Sequence, residues 1–483
     1  MHDNVHTIRP YTHTLNIAKD QDKIYAWIDA GLPLSTTSNE ACKLYDASVT
    51  QASGMYDEPS VGGLEECTKK MIGADPKFVM GHVFANSLCL GGPEKPLHLN
   101  TDLKTKMDAL NALVQESQIT DRERKHVNAL NMCAQGKRYA AVKLWEDILV
   151  DYPTDLLASR QAFLSLLNLG MPKENKDITT RVLPSYKKDT PGYSIILSWQ
   201  AFCLEENNFY DLAEKTAKQC LEMERRETYA THALSHVYLM QGQHEKGIEF
   251  ILSTEDDWSR ACYMACHNYW HLSLAYAEKG DFTEALGIFD TQIGPRTKKS
   301  KSDFNLTDAT GLLYRLKLEG VDVGNRWSVL DETCDVYMYG HGQMFTEANL
   351  LLSCCHNQDK SKRYTLLESL KQYGKNDSED WDSKKIVSEV GVPLCEGIVA
   401  FEDGDYSKAV ELLYPIRYEI IKIGGSDAQR DVCYQLLIHS TLRSPKQEHN
   451  RLGRMLLSER RVAKESDSWT DRLMAQFVTS HST

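Results

Sequence analysis

The sequence is poor in the residues that break helices and join strands. Its 483 residues include only 28 glycines and 14 prolines, which argues against a turn-rich all-β protein. It also lacks an apolar run long enough to cross a bilayer. The first residues, MHDNVHTIRPYTHTLN, have no apolar segment of the kind found in signal peptides. We therefore expect a cytoplasmic protein.

An excess of basic charge is missing as well. The chain has 55 lysines and arginines against 68 aspartates and glutamates, for a net charge of −13. Nucleic acid and anionic lipid both require a basic face. The charge therefore predicts no nucleic-acid partner and no membrane insertion, and it gives little support for a basic partner.

The 13 cysteines include no Cys-x-x-Cys pair. A secreted disulfide framework has an even number of cysteines at regular spacing, so we expect reduced thiols, several of them in the core. Cys262 and Cys266 share a helical face with a spacing suited to a metal, but buried thiols are the simpler interpretation. The adjacent Cys354 and Cys355 point apart on a helix and form no pair.

What the sequence does contain is a helical repeat. A turn residue is followed five positions later by a small residue, at Gly136 with Ala141, Asn208 with Ala213, Gly280 with Ala285, and Gly404 with Ala409. Gly242 and Gly170 are weaker matches, and successive anchors from 136 to 280 lie 34, 38, 34 and 38 residues apart. The turn residue tolerates the left-handed backbone that ends a helix. The pattern predicts an all-α, tetratricopeptide-like right-handed superhelix of stacked antiparallel helix pairs, an α-solenoid.

No linker divides the chain. We expect a flexible N-terminal arm over residues 1–20, a single continuous helical-repeat domain over 21–475 and a C-terminal tail over 476–483. A helix should begin near Ser38, because Thr37 and Glu40 have the spacing of a capping box. TKKSKSDFN, after Pro295, is predicted to be a basic loop, and the acidic stretch near Asp377 an exposed loop.

Several segments resemble the tetratricopeptide repeat protein 38 family. They are LPLSTTSNEACKLYDA, ADPKFVMGH, LWEDIL with YPTD, NFYDLAEK, ACHNYWH, LLYRLKLEGV, VGVPL and GGSDAQRDV. The resemblance covers nearly the whole chain from about Ala26 onward, but not the N-terminal arm or the acidic loop near Asp377. It implies a curved helical-repeat protein of the cytosol, and it implies no reaction, cofactor or partner.

Two neighbouring repeats each carry a His-x-x-x-His pair, and each pair lies on the first helix of its repeat. His232 and His236 recur 35 residues later as His267 and His271. First helices line the concave surface and pack about 10 Å apart, so the four imidazoles should converge in a concave groove. Further polar and aromatic residues on the first helices extend this predicted ligand groove: Trp270, Asp308, Arg315, His341, Arg430, Asp431, Gln435 and His439. Arg315 is expected to pair with an acidic group or a ligand carboxylate.

The histidines allow several interpretations. A single histidine beside an apolar stripe is most often a buried residue satisfied by a neighbour. Two histidines four residues apart on a helix can chelate Zn²⁺, but no His-Glu-x-x-His motif is present. From the sequence we therefore predict no metal and no cofactor.

Two classes of function remain open. The first is a binding scaffold that holds a peptide, a protein segment or a small ligand in the groove. The second is an enzyme, hydrolase-like or metal-assisted, that uses the histidines as general acid–base groups or metal ligands. The fold favours the scaffold. The sequence has no phosphate loop, nucleophile elbow or dinucleotide fingerprint. The Lys and Asn pair that holds chaperone C-termini is absent from the first helices, which disfavours that partner.

Overall fold

The computed structural model describes residues 23–90, 97, 100–261, 263–375, 381–464 and 466–480. This part of the chain is built of helices and contains no β-strand, which confirms the predicted all-α solenoid of stacked helix pairs. Within it, no helix is both long and apolar enough to cross a membrane. The N-terminal arm, Cys262 and the acidic loop near Asp377 lie outside the described residues. The division into arm, domain and tail stays a prediction.

The helices are numbered in chain order. Those of the first half are α1 (Lys23–Asp29), α2 (Asn39–Gly54), α3 (Gly63–Ala74), α4 (Val79–Leu88), α5 (Thr101–Glu116), α6 (Asp121–Ala134), α7 (Arg138–Asp151), α8 (Leu156–Asn168), α9 (Pro172–Val182), α10 (Tyr193–Glu205), α11 (Tyr210–Met223), α12 (Thr228–Met240) and α13 (His244–Ser253). The second half contains α14 (Glu255–Trp258), α15 (Tyr263–Lys279), α16 (Phe282–Ile288), α17 (Gly294–Ser300), α18 (Asp303–Leu318), α19 (Asp331–Tyr337), α20 (Met344–Cys354), α21 (Ser361–Lys375), α22 (Asp382–Ile386), α23 (Val392–Glu402), α24 (Tyr406–Leu413), α25 (Asp427–Arg443), α26 (Gln447–Ala463) and α27 (Ser468–Ser480). Short 3₁₀-helices occupy Pro59–Val61, Leu183–Ser185, Gly324–Val329 and Ile420–Ile423, and π-helical turns occupy Phe289–Ile293 and Val387–Gly391.

The predicted turns join antiparallel helix pairs. The five turn residues all have left-handed backbones: Gly136, Asn208, Gly242, Gly280 and Gly404. The small residues that follow, Ala141, Ala213 and Ala285, are fully buried where the second helix meets the first. Both features confirm the phase of the repeat assigned from the sequence.

Helices fill the concave side of the solenoid. Helices α10, α12, α15, α18 and α20 pack in succession, and α25 packs across α12 and α18. The end of α8 touches the segment that leads into α25: a Cβ atom on Gly170 would lie 1.8 Å from the carbonyl oxygen of Ile421. One on Gly424 would lie 2.5 Å from the carbonyl oxygen of Asn168. Residues more than 250 positions apart therefore close the concave side.

Two local predictions were inaccurate. The cap of α2 lies one residue later than predicted, because the Ser38 side chain, and not that of Thr37, accepts the hydrogen bond from the amide of Ala41, and the helix begins at Asn39. The stretch after Pro295 is helical up to Ser300, because the π-helical turn before it continues into α17. Pro295 stands at the start of α17, directly after the π-helical turn.

Candidate functional site

Four imidazole rings meet inside the solenoid. His232 and His236 lie on α12, and His267 and His271 lie on α15; we call these four residues the histidine cluster. Neighbouring ring centroids are 4.4–4.8 Å apart. One nitrogen from each ring lies within 4.8 Å of the others, and all four side chains are at most 3% exposed. The four-residue spacing places each pair on one helical face, and the packing of α12 on α15 brings the two pairs together.

Asp308 fixes the orientation of one ring in the cluster. Its Oδ2 accepts a hydrogen bond of 2.7 Å from Nδ1 of His267, and its Oδ1 accepts one of 3.1 Å from Nε2 of Gln429. The other nitrogen of His267, Nε2, lies 2.9 Å from Nε2 of His232. Because Nδ1 carries the proton, Nε2 of His267 presents its lone pair to the interior of the cluster.

A second carboxylate lies beside His236. Oε2 of Glu205 is 3.2 Å from Nδ1 of His236, and Oε1 of Glu206 is 3.9 Å from the same atom. Among the described residues, both oxygens of Glu205 and both nitrogens of His236 and His271 lack a hydrogen-bond partner. A buried polar group without a partner costs about 1–3 kcal/mol. The cluster therefore concentrates unsatisfied groups that native proteins avoid.

Three rings of the cluster, those of His232, His236 and His271, are neutral around pH 7. Burial lowers the pKa of His236 to about 3. Burial and the neighbouring rings hold the pKa values of His232 and His271 well below their usual range. Burial also raises the pKa values of Glu205 and Glu206. Neutral imidazole is the form of histidine that binds metal ions.

Two further predicted residues lie near the cluster. The ring of Trp270 stacks on His267 with a centroid distance of 5.0 Å. Arg315 is buried, but the predicted pairing with an acidic group was wrong: its guanidinium donates to the backbone carbonyls of Gly311, Ala428 and Gln429. The reason is that the first turn of α25 reaches the arginine before any carboxylate does.

The remaining predicted residues have separate partners. Arg430 forms ion pairs with Glu206 and Asp427. Asp431 forms an ion pair with Arg460 and accepts a hydrogen bond from Gln435. A ring nitrogen of His439 lies 3.7 Å from Glu319, and His341 contacts Glu347 and Ser369. These residues do not line one open groove with the histidines. The predicted ligand groove is divided, because α25 fills the concave side and its polar residues pair with their own surroundings.

Sequence reasoning missed three residues around the cluster: Glu205, Glu206 and Gln429. Glu205 is the last residue of α10 and Glu206 follows it, about one repeat before His236. Two adjacent carboxylates at that position of the repeat could have indicated their place beside the cluster. No sequence pattern indicated Gln429, because its contact with Asp308 spans 121 residues.

Comparison with solved structures shows a remote likeness. No protein-family model matches the chain. Among solved structures, a human IFIT1 dimer with m7Gppp-AAAA is similar over 94% of this chain and 97% of its own, at 12% identity and a TM-score of 0.37. A monomeric IFIT1 mutant with Gppp-AAAA is similar over 91% of this chain and 95% of its own, at 13% identity and a TM-score of 0.38.

These structures correct one prediction. The exclusion of nucleic acid as a partner does not stand beside these structures, in which IFIT1 was solved with m7Gppp-AAAA and Gppp-AAAA. The physical reason is that net charge describes the whole chain and not the local surface on which a ligand binds.

Proposed function

We propose that this chain is a helical-repeat binding protein whose histidine cluster holds one transition-metal ion. The observation that carries the proposal is the convergence of four buried imidazoles, with both nitrogens of His236 and His271 lacking a hydrogen-bond partner in the described part of the chain. A metal ion would satisfy one nitrogen of each ring. The proposal departs from the sequence-based expectation of no metal, because that expectation rested on the absence of a motif.

Membership of the tetratricopeptide repeat protein 38 family is part of the same proposal and rests on the quoted segments.

The donor set narrows the choice of metal. Four imidazoles suit Zn²⁺, Cu²⁺ or Ni²⁺, whereas Mg²⁺ and Ca²⁺ prefer oxygen ligands. Asp308 on His267 and Glu205 on His236 resemble the carboxylates that orient metal-bound histidines through their second nitrogen. Tetrahedral Zn–N bonds of about 2.0–2.1 Å place nitrogens about 3.3–3.4 Å apart. The Nε2 atoms of His232 and His267 are 2.9 Å apart, so binding of the ion would move them apart by a few tenths of an ångström.

The enclosure of the cluster supports a binding role. Catalytic zinc keeps one coordination position open to water or substrate, whereas a site with four protein ligands is closed. The histidines are at most 3% exposed, and α25 occupies the space in which a peptide would lie. A tightly held ion that stabilises the middle of the solenoid therefore fits better than metal-assisted hydrolysis or general acid–base catalysis by these rings.

Cobalt substitution tests the coordination directly. The purified full chain, stripped with a chelator, would be titrated with Co²⁺ while its visible absorption is recorded. We expect the intense bands of tetrahedral Co²⁺, saturating at one ion per chain, and their loss in the His236→Gln/His271→Gln variant. His126→Gln/His449→Gln is the matched control, because both residues are buried histidines outside the cluster. Weak octahedral bands only, or equal bands in both double variants, would contradict the proposal.

A further inference from the structure

His341 lies between a serine hydroxyl and a buried carboxylate. Its Nε2 is 2.9 Å from Oγ of Ser369, and its Nδ1 is 3.3 Å from Oε2 of Glu347. The other oxygen of the same carboxylate, Oε1, accepts a hydrogen bond of 2.8 Å from the backbone N–H of His341. Glu347 thus hydrogen-bonds to the backbone of His341 and lies beside its ring, while in the described part of the chain Nδ1 of His341 and Oε2 of Glu347 form no hydrogen bond. In catalytic sites such a contact often tightens into a hydrogen bond only in the complex with substrate.

Exposure increases along the three residues. Glu347 is 1% exposed and His341 is 6% exposed, whereas Ser369 on α21 is only half-buried. A nucleophile must be reached by its substrate, while the acid that orients the base works best out of water. The order of burial is therefore the one that nucleophilic catalysis requires.

The loop that carries His341 has an unusual backbone. His341 has a φ of 55° and Tyr339 a φ of 68°, in the left-handed region that non-glycine residues rarely adopt. Such conformations cost on the order of 1–3 kcal/mol and persist where the surroundings hold them. Here the hydrogen bond from the His341 backbone N–H to Glu347 is the contact that holds this conformation.

We propose that Ser369, His341 and Glu347 form a catalytic triad for acyl transfer, independent of the histidine cluster. Ser369 is the nucleophile and His341 is the general base. Glu347 faces Nδ1 of the imidazole and favours the tautomer that is protonated there, so that Nε2 can accept the serine proton. The sequence search for a nucleophile elbow could not find this serine, because Ser369 stands inside a helix.

The reaction balances with an ester and water as the only reactants. Oγ of Ser369 bonds to the carbonyl carbon while Nε2 of His341 takes the hydroxyl proton. The ester C–O bond then breaks, and the leaving alcohol departs with that proton. Water attacks the acyl-serine, giving one proton to Nε2. The acid is released as the Ser369 oxygen recovers the proton from His341.

The surroundings indicate the class of substrate. Tyr373, one turn after Ser369, brings its ring to 5.2 Å from that of His341, and its hydroxyl lies 3.0 Å from Oγ of Ser383. A narrow cleft begins at the residue after His341 and is lined by apolar residues together with charged ones, among them Leu90, Met344, Trp381, Arg138, Asp382 and Lys422. Its free volume of about 40 Å³ has room only for a small acyl group, so we infer short-chain esters as substrates.

An activity-based probe tests the triad on the intact chain. The purified full chain would be treated with a fluorophosphonate, and the labelled peptide identified by mass spectrometry, in parallel with a p-nitrophenyl acetate assay. We expect the label on Ser369 and its loss in Ser369→Ala. Labelling should be at least about 100-fold slower in His341→Gln and Glu347→Gln. Ser361→Ala on the same helix is the control and should behave as the parent chain.

The outcomes separate this site from the metal site. Labelling should be unchanged after chelator treatment, since no residue of the triad belongs to the histidine cluster. An unlabelled Ser369 in the parent chain would overturn the proposal. So would a labelling rate in Glu347→Gln or His341→Gln equal to that of the parent, with folding checked by circular dichroism.

Discussion

Asp308 contacts His267 on the opposite side of the ring from its neighbour in the cluster. The carboxylate accepts the Nδ1–H at 2.7 Å, while Nε2 lies 2.9 Å from His232. Removing such a carboxylate typically lowers metal affinity about 10–100-fold, because the ring loses its orientation and basicity. We expect this decrease for Asp308→Asn, measured by competition with a chromogenic chelator. Asp303→Asn, on the same helix, is the control and should bind as the parent does. If the two variants bound the metal with equal affinity, the role of Asp308 would be limited to packing.

Closure of the solenoid can be tested with two glycines. Both have left-handed backbones, but a Cβ atom on Gly170 would lie 1.8 Å from the carbonyl oxygen of Ile421, whereas one on Gly404 would meet nothing within 4 Å. Gly404→Ala should cost about 1–2 kcal/mol from backbone strain alone. Gly170→Ala should cost about 1–3 kcal/mol more, because the backbone must move. Urea unfolding measures both, and equal losses would mean that the concave side is not closed by this contact.

The repeat phase predicts an overpacking effect at Ala285. This residue is fully buried at the contact between α15 and α16, and its carbonyl oxygen accepts a hydrogen bond from Oγ of Ser273. Ala285→Leu should lower the free energy of unfolding by about 1–3 kcal/mol. Thr283→Leu, at an exposed position two residues earlier, should have little effect. An unchanged unfolding midpoint for Ala285→Leu would place the residue outside the helix contact.

Glu227 should make the stability depend on pH. Burial raises its pKa from 4.5 to about 8, and its Oε2 accepts a hydrogen bond from Ser194. Below pH 4.5 the carboxyl is protonated in both the folded and unfolded chain. Between about pH 4.5 and 8 only the folded chain keeps the proton, so the stability contributed by this group is lost as the pH rises.

The size of this effect is on the order of a few kcal/mol. Glu227→Gln removes the titration and should be more stable than the parent at pH 8, with little difference at pH 4.5. Denaturant unfolding at the two pH values measures the change. A pH profile identical to that of the parent would show that Glu227 is ionised in the folded chain.

Local features of the fold were predictable from the sequence, and the long-range ones were not. Gly136 marks a turn and Ala141 a close contact between two helices, and both can be predicted from the residue spacing within a single repeat. The approach of His232 to His267 followed from their 35-residue offset, since equivalent positions on neighbouring first helices are adjacent in space.

The position of α25 had no local signal. It depends on contacts such as that between Gly424 and Asn168, which a repeat pattern does not encode. The grouping of His341 with Ser369 depends on the left-handed backbone at His341, a conformation that no residue pattern there indicated. Both features arise from tertiary packing that overrides local preference.

Elemental analysis of the native protein tests the central proposal most directly. The full chain would be expressed without a histidine tag, purified without chelator and analysed by inductively coupled plasma mass spectrometry. We predict about one Zn²⁺, Cu²⁺ or Ni²⁺ ion per chain, as a four-histidine site binds one ion. The ion should be retained in His126→Gln/His449→Gln and absent from folded His236→Gln/His271→Gln. A folded parent chain with no metal above the buffer level, and no uptake when these ions are added, would contradict the account.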